Sequence, residues 1–212
     1  MAAIRQFLSR AGFGGAARRF MQGDASTRAY ERLTRDGTSY ILMNSPQRSD
    51  GPPVREGKPY SAIAHLADNV TAFIAMAQAL RARSFSAPAI FAADRDAGLL
   101  ILEDLGDDQI VAGDPPSPIE ERYMAAADLL AALHATPMPE ELPVEAGVAY
   151  TLPHYDLDAF LIEAELLIDW YLPRLGVKLA GAKRDGYVEL WHEALKPALA
   201  APPVWVLRDY HS

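Results

Sequence analysis

The residues best suited to chemistry in this chain stand near its C-terminal end. Val204-Trp205-Val206-Leu207, an apolar run that reads as a strand, delivers Arg208 and Asp209, then Tyr210 and His211, into a polar loop. A carboxylate held there is a candidate for acid–base or positioning work, although an Asp after a strand is also a common turn former or helix cap. Two other places invite attention. Gly23-Asp24-Ala25-Ser26-Thr27 is a small-residue loop between two strands, and Glu103-Asp104-Leu105-Gly106 follows the apolar run GLLIL. The five histidines, His65, His134, His154, His192 and His211, show no metal-ligand spacing. Without a cysteine there is no disulfide or thiolate site, and without a Gly-x-Ser-x-Gly turn a Ser-His-Asp hydrolase has no elbow.

The elements that must hold these residues can be read from periodicity. Ile4, Phe7 and Leu8 have helical spacing, and a Gly12-Phe13-Gly14-Gly15 break follows. The stretch 18–46 reads as three strands joined by the small-residue loop and by Arg35-Asp36-Gly37-Thr38, whose Asp-Gly pair suits a tight hairpin. Residues 44–59, rich in Pro, Gly and charge, read as a loop with at most local order. Val70, Phe73, Ile74, Ala77 and Leu80 share one helix face, with Asp68 or Asn69 as cap. IFAA and GLLILE read as two more strands around the turn 94–98.

Beyond Gly106 the pattern turns helical, which marks a boundary between residues 1–104 and 105–212. Ser117, Pro118 and Glu120 have the spacing of a capping box with proline at the first helical position, opening a helix to about His134. A helix over 156–171 places Phe160, Leu161, Ala164, Leu167, Ile168 and Tyr171 inward, and another ending near Leu199 carries Tyr187, Leu190, Trp191 and Leu195. Pro202 and Pro203 precede the closing strand.

Composition bounds the class. Half of the 212 residues are apolar, enough for a sizeable core, and no apolar run reaches membrane-spanning length. Arg5, Arg10, Arg18 and Arg19 precede the first acidic residue, Asp24, as they would in a transit peptide, but the helical spacing suits a docking helix. Through Asp96, Lys and Arg outnumber Asp and Glu by 13 to 8; beyond it they are outnumbered by 20 to 7. A basic first part suits an anionic ligand such as a nucleotide, and an acidic second part a metal or cationic substrate. So acidic a chain without a basic stripe is a poor nucleic-acid binder, and the cysteine-free composition fits a cytoplasmic protein.

The stretches GDASTRAYERL, SYILMNSP, SAPAIFAAD, GLLILEDLGD, LLAALH and LRDYHS together resemble the aminoglycoside phosphotransferase and choline kinase-like family, in particular its bacterial branch of N-acetylmuramate and N-acetylglucosamine anomeric kinases. The resemblance implies an α+β, protein kinase-like fold with a strand-rich nucleotide lobe and a mostly helical substrate lobe, the latter incomplete here. It implies transfer of the γ-phosphate of ATP, with Mg²⁺, to a hydroxyl of an amino sugar. Aminoglycoside or amine phosphorylation, or a pseudokinase that binds nucleotide or a protein, are the alternatives. Association with a tRNA-modification ATPase is implied by the family alone.

Residue by residue, the resemblance gives Gly23, Asp24, Ala25 and Ser26 to the phosphates and the main chain of Glu103 and Leu105 to adenine. It makes Asp209 the group that orients the attacking hydroxyl, with Arg208 and His211 supporting its loop. The usual third-strand lysine is missing, its place being Met43 or a neighbour, and Leu207 stands where His is common. Arg28 is the nearest cation that could reach the phosphates in the lysine's stead. The metal ligands, an Asn five residues past Asp209 and an Asp-Phe pair, are expected beyond Ser212.

Overall fold

A computed structural model describes residues 2–22, 28–47 and 49–210. In chain order the elements are α1 (Ala2–Arg10), β1 (Ala17–Met21), β2 (Ala29–Arg35), β3 (Thr38–Asn44), β4 (Pro53–Arg55), β5 (Lys58–Pro59) and α2 (Tyr60–Ile63). Then come α3 (Val70–Arg81), β6 (Ile90–Asp94), β7 (Leu99–Glu103), β8 (Val111–Ala112), β9 (Ser117–Pro118), α4 (Glu120–Ala135), β10 (Glu141–Glu145) and β11 (Val148–Thr151). The remainder is α5 (Leu157–Leu166), a π-helical turn (Leu167–Tyr171), α6 (Leu172–Arg174) and α7 (Ala182–Ala200). Helices and antiparallel strands coexist, a mixed α and β structure.

The contacts divide the chain into two compact units, one of residues 1–48, 67–152 and 207–212, the other of 49–66 and 153–206. In the first, the sheet order is β1-β2-β3-β7-β6, antiparallel throughout. The β2–β3 turn has positive φ at both Asp36 and Gly37, the mirror-image hairpin geometry that the Asp-Gly pair favours. Phe7 and Leu8 of α1, with Phe13, bury against Leu33, Leu42, Leu99 and Ile101 from one face of the sheet. The spaced apolar residues of α1 therefore do dock. Alternation puts Arg32, Ser39, Ile41, Met43 and Leu100 on the opposite face.

Gly98 fixes the exit of β3. Its φ is +67°, and a Cβ there would lie 2.3 Å from the Ser45 carbonyl oxygen, whose own N–H donates to the Gly98 carbonyl at 2.8 Å. The expected helix over 69–83 is α3, and Asn69 rather than Asp68 caps it, its side chain accepting from the Thr71 N–H at 2.8 Å.

In the second unit, Ile63, Ala64 and Ile162 form a small core with Tyr60. Glu165 is buried in it and meets Arg55 at 2.6 Å and Arg184; Arg184 also grips Asp169 on the π-helical turn. Asp156 caps α5, accepting from Ala159 N–H.

Several expectations fail for identifiable reasons. Ser117 does not cap α4: Ser117 and Pro118 pair with Val111 and Ala112 as β9, and the N-cap is Ile119, with no side-chain bond. Residues 204–207 are not a strand, because among the described residues no neighbouring strand pairs with them. The short β4–β5 hairpin is the local order of the 44–59 loop, whereas β10–β11 is a hairpin that no tight-turn pair in ELPVEAGVAYT announces. Leu167 and Tyr171 are exposed, not inward, because the π-helical turn rotates its residues off the 3.6-residue register; Ile162 and Glu165 of α5 are buried.

Candidate active site

β7 ends the central run of the sheet with Leu99, Leu100, Ile101 and Leu102 all buried, and the polar segment 103–108 leaves its end. Glu103 is held on both sides of its backbone: its N–H donates to the Ala89 carbonyl at 2.8 Å, and its carboxylate accepts from the Ala89 N–H at 2.9 Å. Its carboxylate, though partly exposed, is thus a clamp on the strand before it. Leu105 follows in no strand, its side chain exposed, and among the described residues its N–H and C=O make no backbone hydrogen bond. A purine edge needs one donor and one acceptor side by side, which such a backbone can supply.

Asp104, one residue further on, is buried by the fold. Its side chain is only 8% exposed and accepts from Ser39 Oγ at 2.5 Å, the Gly106 N–H at 3.0 Å and Arg32 Nη2 at 3.3 Å. Arg32 Nε also lies 2.7 Å from Asp104 Oδ2, an ion-pair contact whose angle is not that of a hydrogen bond. The same guanidinium donates twice to Asp107, at 2.9 and 2.7 Å. Burial pushes the Asp104 carboxyl up, but Ser39, Gly106 and Arg32 outweigh it and hold it below the usual range. Arg32 holds Asp107 low as well, and the two carboxylates raise the Arg32 guanidinium further above neutrality. No local sequence pattern pairs Arg32 with Asp104, 72 positions away; only the register of β2, β3 and β7 brings them together.

Asp209 is exposed on a loop with two restraints. Arg208, before it, has φ +46°, a left-handed conformation uncommon outside glycine, and Tyr210, after it, donates its hydroxyl to the Ala126 carbonyl of α4 at 2.8 Å. Leu207 is half-buried, a packing residue at its position. Met43 is fully buried, cross-strand from Tyr30 and Leu100, so the place expected of a lysine is an apolar one. Arg28 is half-buried immediately before β2. Gly23, Asp24, Ala25, Ser26 and His211 lie outside the described residues. Among the described residues, no group of three or more His, Asp or Glu could hold a metal ion.

Residues 18–212 match the phosphotransferase enzyme family, APH. The chain belongs to this family. It is 38% identical over 224 aligned residues to an N-acetylmuramate/N-acetylglucosamine kinase of Caulobacter vibrioides, with 100% of this chain and 61% of that protein covered. A Pseudomonas aeruginosa protein of the same name is 30% identical over 188 residues, covering 88% of this chain and 47% of its own length. A third, from Neisseria meningitidis, is 29% identical over 193 residues, covering 90% and 50%. The chain therefore spans between 47% and 61% of the length of these relatives. The family match includes the segments around Arg28, Glu103 and Asp209 alike. No helix among the described residues is long and apolar enough to cross a membrane.

Proposed function

We propose that this protein is a kinase that moves the γ-phosphoryl group of ATP onto a hydroxyl of an amino sugar, N-acetylmuramate or N-acetylglucosamine. The observation that carries this reading is the Arg208-Asp209 loop inside a family match that spans 18–212, in a chain whose similar proteins are named as kinases of those sugars. In this reading residues 1–104 form a nucleotide lobe and 105–212 a substrate lobe, in the kinase manner.

The division of labour follows from the chemistry. Phosphoryl transfer needs a nucleophile aimed in line at phosphorus and stabilised charge on the equatorial oxygens, more than it needs a strong base. Asp209 accepts a hydrogen bond from the attacking sugar hydroxyl and takes its proton as the oxygen–phosphorus bond forms and the bond to the bridging β,γ-oxygen breaks, releasing ADP. Arg208, through its left-handed backbone, and His211 hold that loop. The small residues Gly23, Asp24, Ala25 and Ser26 let backbone N–H groups approach the phosphates, and Arg28, always charged and able to bind two oxygens at once, stands in for the absent lysine. The carbonyl of Glu103 and the N–H and C=O of Leu105 meet the adenine edge. Mg²⁺ bound with the nucleotide neutralises phosphate charge; none of the described residues is assigned to it.

A phosphoryl acceptor screen with labelled ATP tests the reading. Label should enter N-acetylmuramate or N-acetylglucosamine and leave kanamycin-type aminoglycosides and choline untouched. Label in the aminoglycosides alone would replace the substrate class. A protein that binds ATP and labels nothing would be a pseudokinase, the reading that buried Met43 favours.

A further inference from the structure

We infer that Arg32 is a positioning residue for the nucleotide: from β2 it fixes segment 104–107, and with it the Leu105 backbone, relative to Arg28, which precedes the same strand. The inference rests on the kinase reading for the identity of the ligand. It starts from an asymmetry on the face of the sheet that carries Arg32 and Ser39. Asp104 and Asp107 stand on either side of Leu105 and Gly106, and both close onto one guanidinium, the side chain of Arg32 being 15% exposed. Ser39 of β3 holds Asp104 from beneath at 2.5 Å. The segment is thus pinned at two points, with Leu105 between them and its own polar groups uncommitted among the described residues.

β2 carries both ends of the device. Arg28 directly precedes it, and Arg32 is four residues along. β2 is paired on both sides, to β1 over Ala17–Met21 and to β3 along its whole length, so it transmits position rather than bending. A ligand with a purine at one end and phosphates at the other would meet groups spaced by a single rigid strand. There is an electrostatic part as well. Without Arg32, two uncompensated carboxylates would flank the base site of a polyanionic ligand, which repels it.

Arg32→Gln keeps the aliphatic stem and a polar end but removes the charge and the guanidinium fork. Direct binding of ATP, by titration with a fluorescent analogue displaced by ATP, should weaken by roughly ten-fold, with the KM for ATP rising in step. The KM for the amino sugar, and kcat at saturating ATP, should stay within about two-fold, because the acceptor and Asp209 are not touched. Arg32→Lys should fall between the two, since an ammonium cannot hold both carboxylates in one plane. Asp107 is exposed, so Asp107→Asn is a variant that folds as the parent does, and it should weaken ATP binding by about three-fold. If Arg32→Gln lowers the melting temperature while ATP binding is unchanged in both variants, Arg32 is a brace and the inference is overturned. Equal losses in both substrates' KM overturn it too. A parent protein that binds ATP but phosphorylates no sugar sinks the kinase reading and leaves the binding comparison standing; one that binds no ATP sinks both.

Discussion

Asp209 is an exposed carboxylate whose usefulness depends on how firmly its loop is held, and the holding comes from its neighbours. The Tyr210 hydroxyl is tied to the Ala126 carbonyl at 2.8 Å. Removing that one bond in Tyr210→Phe should cost about 1 kcal/mol of local stability, lower kcat several-fold and leave ATP affinity unchanged, as steady-state kinetics and nucleotide titration would report. Arg28→Ala should instead weaken ATP binding, by about ten-fold or more, with the acceptor KM unaffected. Asp104 gives a pH signature. Its folded pKa is lowered, so its stabilising contribution is fully present above the unfolded value near 4 and is lost as pH falls through the folded one. Melting temperature should be insensitive to this group from pH 7 to about 4 and drop below that, and Asp104→Asn should flatten the acid limb. As a candidate, the carboxylate of Asp209 was legible because it follows an apolar run into an Arg-Asp pair. The Arg32–Asp104–Asp107 group and buried Glu165 were not, because their partners are chosen by strand register and helix packing between residues 72 and 110 positions apart.

Elements with a local chemical signal were readable, and those that depend on a distant partner were not. The β2–β3 hairpin declared itself through Asp36-Gly37, and α3 through its apolar spacing and Asn69. Ser117-Pro118 carried the signature of a helix start, but a pairing with Val111 and Ala112 used those residues in a strand. The π-helical turn broke the inward pattern of α5, since one extra residue per turn moves Leu167 and Tyr171 outward. Gly98 is the element-scale residue with the least freedom. Gly98→Ala would force a Cβ into the Ser45 carbonyl oxygen from a positive-φ backbone, and should destabilise by about 2 kcal/mol or more, visible as a lower denaturant midpoint with an unchanged slope.

At the scale of the molecule, composition bounded the class, and the quoted stretches resembled a phosphotransferase family whose match runs from residue 18 to 212. What composition could not supply was the contact division, in which residues 49–66 join 153–206, since that grouping rests on packing of α2 with α5 and with the β4–β5 hairpin. The measurement closest to the central claim compares the intact protein with Asp209→Asn at equal occupancy by ATP, with Mg²⁺ and N-acetylmuramate or N-acetylglucosamine supplied. Phosphorylated sugar and ADP are followed together. The expected result is one phosphorylated sugar per ADP in the parent, formed about 10²-fold more slowly in the variant while ATP affinity is nearly unchanged. Equal rates in the two proteins, or ADP released with no phosphorylated sugar, would contradict it.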